Sequence, residues 1–252
     1  MMDLLERINK YLLIIRYKLS TIMDEGNSEL YKRILQLRGV TIGSNVLFRQ
    51  PKYTEIDVTR PYLINIGENV DINKGFTLLT HDFGTFVFKN LYKDFVNSSG
   101  KVEIGNNVVI GQNVTLLKGV SIGDNCIIGL GSVVSKSIPS NSVAVGCPAK
   151  VICSIEEYYK KRKEKSIDEA IDCGVELYKK KRDSLTIEDF AEEWCLFVKK
   201  NEYQNIGYLK NAIDWRLKDN VEAFLDKPKA FSGYESFITA VKERYYSEAS
   251  SK

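Results

Sequence analysis

Between residues 104 and 134 an aliphatic side chain stands at every sixth position: Ile104, Ile110, Leu116, Ile122, Ile128 and Val134. Gly105, Gly111, Gly123 and Gly129 follow four of them, and the fifth places hold Val108, Val114, Val120, Cys126, Ser132 and Ile138. The phase continues upstream at Ile66, Ile72 and Leu78, with Val70 and Phe76 in the fifth places and an isolated copy at Ile42–Gly43 with Val46. A strand repeats every two residues and a helix every 3.6, so a period of six is a short extended stretch plus a turn. Three such units make a coil of eighteen residues, with each aliphatic pointing inward over its counterpart in the next coil. Glycines and the pairs Asn106–Asn107 and Asp124–Asn125 suit the corners. Cys126 falls on an inward position and reads as a small buried hydrophobe. The pattern predicts a mainly β fold over residues 39–152, a stack of coils whose open ends need covering.

The flanks follow the helical period. Leu5, Ile8, Leu12, Ile15, Leu19 and Ile22 recur at intervals of three and four, predicting a helix whose apolar face packs on the protein in preference to a membrane surface. Asp24–Glu25–Gly26–Asn27–Ser28 breaks it, and a second short helix is predicted over residues 29–37. Ser154 with Glu157 makes a capping box that opens a helix through Tyr158 and Lys165 and beyond. Thr186 with Asp189 opens another that carries Phe190, Trp194 and Phe197, and apolar positions recur through Leu209, Ile213, Leu217, Val221 and Leu225. Ser232–Gly233 precedes a last helix predicted from Tyr234 to Tyr246. Charged residues are about twice as dense after residue 152 as before it, whereas most glycines lie between Gly39 and Gly146. The chain therefore divides into an N-terminal helical segment (1–38), the repeat domain (39–152) and an α-helical C-terminal extension (153–252).

Composition narrows the chemistry. The 252 residues carry 36 Lys plus Arg against 33 Asp plus Glu, a formal net charge of +3, which argues against a nucleic-acid partner. A hydrophobic content of 44% excludes a disordered chain. The apolar run Leu12–Leu13–Ile14–Ile15 is far short of the ~20 residues of a transmembrane segment, and no signal-peptide cleavage pattern follows, so a cytoplasmic location is expected. Five cysteines without a C-x-x-C pair are expected to be reduced thiols. His81 is the single histidine, so no His-rich metal site is expected, and any imidazole acid–base chemistry falls to that residue.

His81 lies in Thr80–His81–Asp82, where the six-residue phase breaks. The following stretch, residues 83–100, carries Phe83, Phe86, Phe88, Leu91, Tyr92 and Phe95, and its aromatic content predicts an ordered flap that covers something. Glu55, Asp57, Arg60 and Asn73, just upstream, are polar candidates for holding an acceptor's hydroxyls. Asp82 is expected to orient the loop or contact the acceptor. As a sequence neighbour in extended chain it points away from His81 and is not its partner.

The run Ile104 to Ile152 resembles the hexapeptide-repeat acyltransferases, and Gly146–Cys147–Pro148–Ala149–Lys150–Val151–Ile152 resembles their G-x-P-A-K-x-I terminus. Arg60–Pro61–Tyr62–Leu63–Ile64 and Ile66–Gly67, leading to Thr80–His81–Asp82, are similar to O-acetyltransferases of bacterial surface-polysaccharide gene clusters. Galactoside and maltose acetyltransferases, and more distantly serine acetyltransferase, share the pattern. The resemblance covers about residues 40–152 and leaves the last hundred without a role. It implies a left-handed parallel β-helix, a homotrimer, acetyl-CoA as co-substrate in a groove between coils of adjacent subunits, and His81 as the general base. It places Gly111, Gln112, Gly129, Leu130 and Gly131 along the pantetheine arm, and Ser135, Lys136 and Lys150 at the nucleotide end. Gln112 and Leu130 are bulkier than the Ser and Ala often found there.

The expected function is therefore acetyl-CoA-dependent O-acetylation of a sugar hydroxyl in surface polysaccharide synthesis, by direct attack. N-acylation of a nucleotide-linked amino sugar, or O-acetylation of a small acceptor, would use the same scaffold and base. A non-catalytic solenoid that serves as a binding module is the reading from a different class.

Overall fold

In the computed structural model, which describes residues 4–23 and 26–250, the chain opens with two helices, α1 (Leu4–Met23) and α2 (Ser28–Arg38). Of the predicted breaker, Asp24 and Glu25 lie outside the described residues. Asn27 caps α2 by accepting the Leu30 N–H at 3.0 Å, and Gly39, at φ +106°, ends it in the left-handed conformation that favours glycine. The expected packing of the α1 stripe is overturned at Ile8, Leu12, Ile15 and Leu19, which are about half exposed, and the side chains of Leu5 and Ile22 lie outside the described ones. α1 instead turns Leu13, Ile14 and Tyr17 partly inward, and Tyr17 stacks on Tyr31 with ring centroids 5.5 Å apart. That ring contact, rotated from the aliphatic stripe, sets which face leans on α2.

Strands then fall in threes. The first coil holds β1 (Thr41–Ile42), β2 (Leu47–Phe48) and β3 (Glu55–Ile56). The second holds β4 (Ile64–Ile66), β5 (Val70–Ile72) and β6 (Thr77–Leu78), followed by the short helix α3 (Thr85–Leu91). The third holds β7 (Val102–Ile104), β8 (Val108–Ile110) and β9 (Thr115–Leu116). The fourth holds β10 (Ser121–Ile122), β11 (Cys126–Ile128) and β12 (Val133–Val134). Each strand pairs in parallel with its equivalent in the next coil, giving three sheets: β1-β4-β7-β10, β2-β5-β8-β11 and β3-β6-β9-β12. Val108 lies opposite Cys126, eighteen residues on. β13 (Ser142–Val145) extends the second sheet, and β14 (Lys150–Ser154) closes it antiparallel.

The six-residue positions fill the interior. Ile104, Ile110, Leu116, Ile122, Ile128 and Val134 are each buried, as are Val108, Val114, Val120, Cys126 and Ile138. Each such aliphatic contributes about 1.5–3 kcal/mol on burial. Ser132, the polar member of the column, is satisfied: its hydroxyl donates to the Gly129 carbonyl at 2.6 Å and accepts the Gly146 N–H at 3.1 Å. Asparagines hold one corner. Asn69, Asn107, Asn125 and Asn141 have φ between 56° and 61°, and Asn107 donates to Asn125, which donates to Asn141, each at 2.9 Å. The glycine beside that corner is required for close approach: a Cβ on Gly105 would stand 2.8 Å from the Gly123 carbonyl carbon.

The chain divides into two units, Met1–Tyr158 and Tyr159–Lys252. α4 (Ile155–Lys181), α5 (Tyr208–Leu217), α6 (Val221–Leu225) and α7 (Tyr234–Ser250) are the helices beyond the strands. The second unit has its own core, in which Phe190, Phe197, Leu209, Ile213, Phe237 and Val241 are inaccessible to solvent. The Ser154–Glu157 capping box opens α4. The Thr186–Asp189 box is also formed, but it opens only a 3-10 turn, Ile187–Phe190, with a second turn at Glu193–Leu196. In place of the continuous helix expected through Phe197, these two turns carry Phe190, Trp194 and Phe197 into one core.

Candidate active site

His81 stands just beyond β6, where the chain leaves the third sheet. Its neighbour there is set by register. Ile56 of β3 lies opposite Leu78 of β6, so Asp57, one residue on, reaches the same end of the sheet from the coil below. His81 Nδ1 lies 2.5 Å from Asp57 Oδ2. That oxygen also accepts the Thr80 N–H at 2.9 Å and the Thr80 hydroxyl. Asp57 Oδ1 accepts the Thr59 hydroxyl at 2.6 Å and the Thr59 N–H at 3.1 Å. Burial pushes the Asp57 carboxyl up, but the hydrogen bonds from Thr59, Thr80 and His81 outweigh it and hold the group well below the usual carboxylate range.

An ionised carboxylate only accepts, so the His81 ring must donate from Nδ1. In the neutral ring the lone pair is then on Nε2, the nitrogen a general base uses. The imidazole keeps 16% of its side-chain surface exposed, whereas the Asp57 side chain keeps 7%. Asp57, expected at the acceptor, therefore has both oxygens committed to His81 and its neighbouring threonines.

The flap leaves and returns at this point. Ser99 bridges back to His81 in antiparallel pairing, and the Gly100 N–H donates to the Thr80 carbonyl at 2.9 Å. Phe83 stands edge-on to the His81 ring with centroids 4.9 Å apart. Arg60 donates to Asn97 at 3.2 Å, tying the far end of the flap to the second coil. Asp82 points away from His81 and pairs with Lys118 of the next coil. That hydrogen bond, aided by the Gly84 N–H, holds its carboxyl down to about 2. The flap does not bury its large apolar residues: Phe83, Phe86, Leu91, Tyr92 and Phe95 are all largely exposed.

The other expected residues fall in two columns. Asn73, Gly111 and Gly129 follow equivalent positions of β5, β8 and β11, and the N–H of each donates to the coil above, to Ile110, Ile128 and Ala144. Gly111 and Gly129 stack so closely that a Cβ on Gly111 would lie 2.6 Å from the Leu130 nitrogen, and the Gly131 N–H donates to the Gln112 carbonyl at 2.8 Å. Asn73 thus lies at the corner before β6, not beside His81, and its amide donates to the Ile110 carbonyl at 3.0 Å. Leu130 projects outward. Glu55, exposed on β3, lies opposite Thr77 at the start of the strand that leads to His81. Ser135 continues the register Leu78–Leu116–Val134, two coils above the site and about 10 Å along the axis. Lys136 follows it, and Lys150 begins β14; both are exposed.

Known proteins share this arrangement of sequence. The model of the bacterial transferase hexapeptide family (six repeats) matches residues 101–136. Protein CapG of Staphylococcus aureus is 41% identical over 128 residues, 51% of this chain and 73% of that protein. The chain belongs to the bacterial hexapeptide transferases. Galactoside O-acetyltransferase of Escherichia coli (strain K12) is 40% identical over 131 residues, 49% of this chain. The chain spans 64% of the length of that relative. Among solved structures, galactoside acetyltransferase in complex with coenzyme A has a TM-score of 0.42 at 28% identity, covering 61% of this chain and 82% of that one.

Within this hexapeptide transferase, three contributors to the site were missed in the sequence. Thr59 and Thr80 hold Asp57, and Lys118 holds Asp82. The signal for the first two lay in the register of the lower coils. β3 and β6 are twenty-two residues apart, not eighteen, because the segment with the 3-10 turn at Pro61–Leu63 lengthens the chain between them. A strict six-residue count therefore slides Asp57 off the column it occupies.

Proposed function

We propose that this protein is an acetyl-CoA-dependent O-acetyltransferase acting on a sugar hydroxyl, with His81 as the general base and Asp57 as its positioning residue. The observation that carries the reading is the contact between Asp57 and His81 Nδ1, which leaves Nε2 as the basic nitrogen at the foot of the flap. A 40% identical relative named galactoside O-acetyltransferase supports the acceptor class. Nε2 takes the hydroxyl proton as the acceptor oxygen attacks the thioester carbon, and the Asp57 anion steadies the imidazolium that forms. The C–S bond then breaks, and the imidazolium returns a proton to the departing sulfur, leaving an O-acetyl ester and free thiol. Acetyl-CoA is a substrate here, not a resident group.

The stacked Gly111 and Gly129, with Gln112, Leu130 and Gly131, are proposed to line the pantetheine arm, because absent side chains let an extended chain lie against the wall. Ser135, Lys136 and Lys150 are proposed at the nucleotide end, where lysines suit phosphates. Glu55 is proposed for the acceptor, and Asp82, through Lys118, for holding the flap. The reading takes the coil as a left-handed β-helix and the assembly as a homotrimer in the cytoplasm. The resemblance of Arg60–Pro61–Tyr62 and Thr80–His81–Asp82 to polysaccharide-cluster enzymes directs it to a surface-polysaccharide precursor.

The test is an acceptor screen with labelled acetyl-CoA against sugars, nucleotide-linked amino sugars, serine and glycan precursors. Alkali-labile label on a sugar supports the reading. Label retained as an amide, or carried only by serine, replaces the acceptor class. Absence of both transfer and coenzyme A binding by thermal shift favours a binding module.

A further inference from the structure

The first helices carry a surface that the acetyl-transfer reading does not use. Ile8, Leu12, Ile15 and Leu19 form one stripe along α1, each about half exposed, and Leu37 at the end of α2 is exposed beside them. Between residues 8 and 19 the helix has Lys10, Arg16 and Lys18 and no acidic residue. α1 and α2 enclose an open cleft of about 700 Å³ whose walls include Leu12, Leu13 and Leu37 together with Lys10, Arg16 and Arg33. No carboxylate lines it.

We propose that α1 and α2 seat the protein on the surface of an anionic lipid bilayer. An apolar stripe bordered by cations and free of acids matches the boundary between acyl chains and anionic headgroups. The aliphatic side chains of the stripe enter the acyl region while Arg16, which borders it on the helix, and Arg33 across the cleft meet lipid phosphates. Among the described residues no helix is long and apolar enough to cross a membrane, so the contact lies on the bilayer and does not span it. A protein partner of the same shape would need a carboxylate-rich groove around an apolar ridge; a bilayer with acidic lipids supplies both features along its whole plane. The proposal stands independently of the acetyl-transfer reading.

The test is sedimentation of the full chain with vesicles of mixed phosphatidylglycerol and phosphatidylcholine, and with phosphatidylcholine alone. Binding is expected to the mixed vesicles, to weaken with salt, and to be far weaker on neutral ones. The variant Arg16→Ala/Arg33→Ala is expected to lower the partition coefficient roughly 30-fold. Leu12→Glu/Ile15→Glu should abolish binding. All substituted side chains face solvent or the open cleft, so circular dichroism and solution mass are expected to match the wild type. Equal binding to both vesicle types, or none to the mixed ones, overturns the proposal. So does a Leu12→Glu/Ile15→Glu protein that keeps its vesicle affinity, or one whose solution mass falls, which would make the stripe an interface between copies.

Discussion

Replacing Asp57 by asparagine perturbs the His81 contact at the smallest steric cost. The carboxylate accepts five hydrogen bonds: two from Thr59, two from Thr80 and one from His81. Asparagine offers one oxygen and one NH2 in the same outline. With the NH2 at the Oδ2 position it meets the Thr80 N–H donor to donor, and a buried amide left unpaired costs about 1–3 kcal/mol. With the NH2 at the Oδ1 position it faces the Thr59 N–H, but the Thr59 hydroxyl rotates to accept. The second orientation therefore wins, and the carbonyl stays on His81 Nδ1. The tautomer is kept; the negative charge beside the forming imidazolium is lost. Hydrogen bonds to charged groups contribute about 1.5–3 kcal/mol against about 1 for neutral ones, a difference of about 0.5–2 kcal/mol. In rate this is about 2- to 30-fold. Steady-state thiol release at saturating acceptor measures it: kcat should fall by that factor, with KM for acetyl-CoA unchanged to within about twofold. A variant with wild-type kcat, or one whose whole loss appears in KM, would refute the positioning role.

Three further outcomes follow from the same geometry. The Asp57 carboxyl is held low in the folded protein, so its contribution to stability is fully present above the unfolded value of about 3.9 and is lost as pH falls below it. The Tm difference between wild type and Asp57→Asn should therefore shrink as pH falls below about 4, and a gap that widens there would contradict the sign. Gly105→Ala places a Cβ 2.8 Å from the Gly123 carbonyl carbon and 2.9 Å from the Asp124 nitrogen, and should cost about 1–3 kcal/mol in urea unfolding. An unchanged midpoint would show that the coils separate more easily than their register suggests. His81→Ala should remove acetyl transfer while leaving coenzyme A binding, read by thermal shift, at the wild-type level; loss of both together would make His81 a structural residue.

The repeat was legible because one physical demand, an inward aliphatic at every sixth residue, is imposed on each coil in turn. Ile104 through Val134 show it without interruption. The flap was legible for the opposite reason, since Phe83 and its neighbours abandon that phase. The pairing of His81 with Asp57 was not legible, because it depends on how two coils of unequal length align, and 3-10 turns leave no periodic mark. The exposed stripe of α1 was misread for a related reason. Apolar spacing identifies a face but not what meets it, and the Tyr17–Tyr31 contact turned that face to solvent. Thr186–Asp189 shows the same limit: the capping signal was correct, but a cap marks where a turn starts and not how far it runs, and here it opens a single 3-10 turn.

The most direct measurement of the central claim is single-turnover acetyl transfer from labelled acetyl-CoA to a sugar acceptor, comparing wild type with His81→Ala at matched donor occupancy. General-base catalysis contributes typically 10²–10⁴-fold, so the variant's transfer rate should fall by about that factor while the donor remains bound. Transfer by His81→Ala at the wild-type rate would contradict the account.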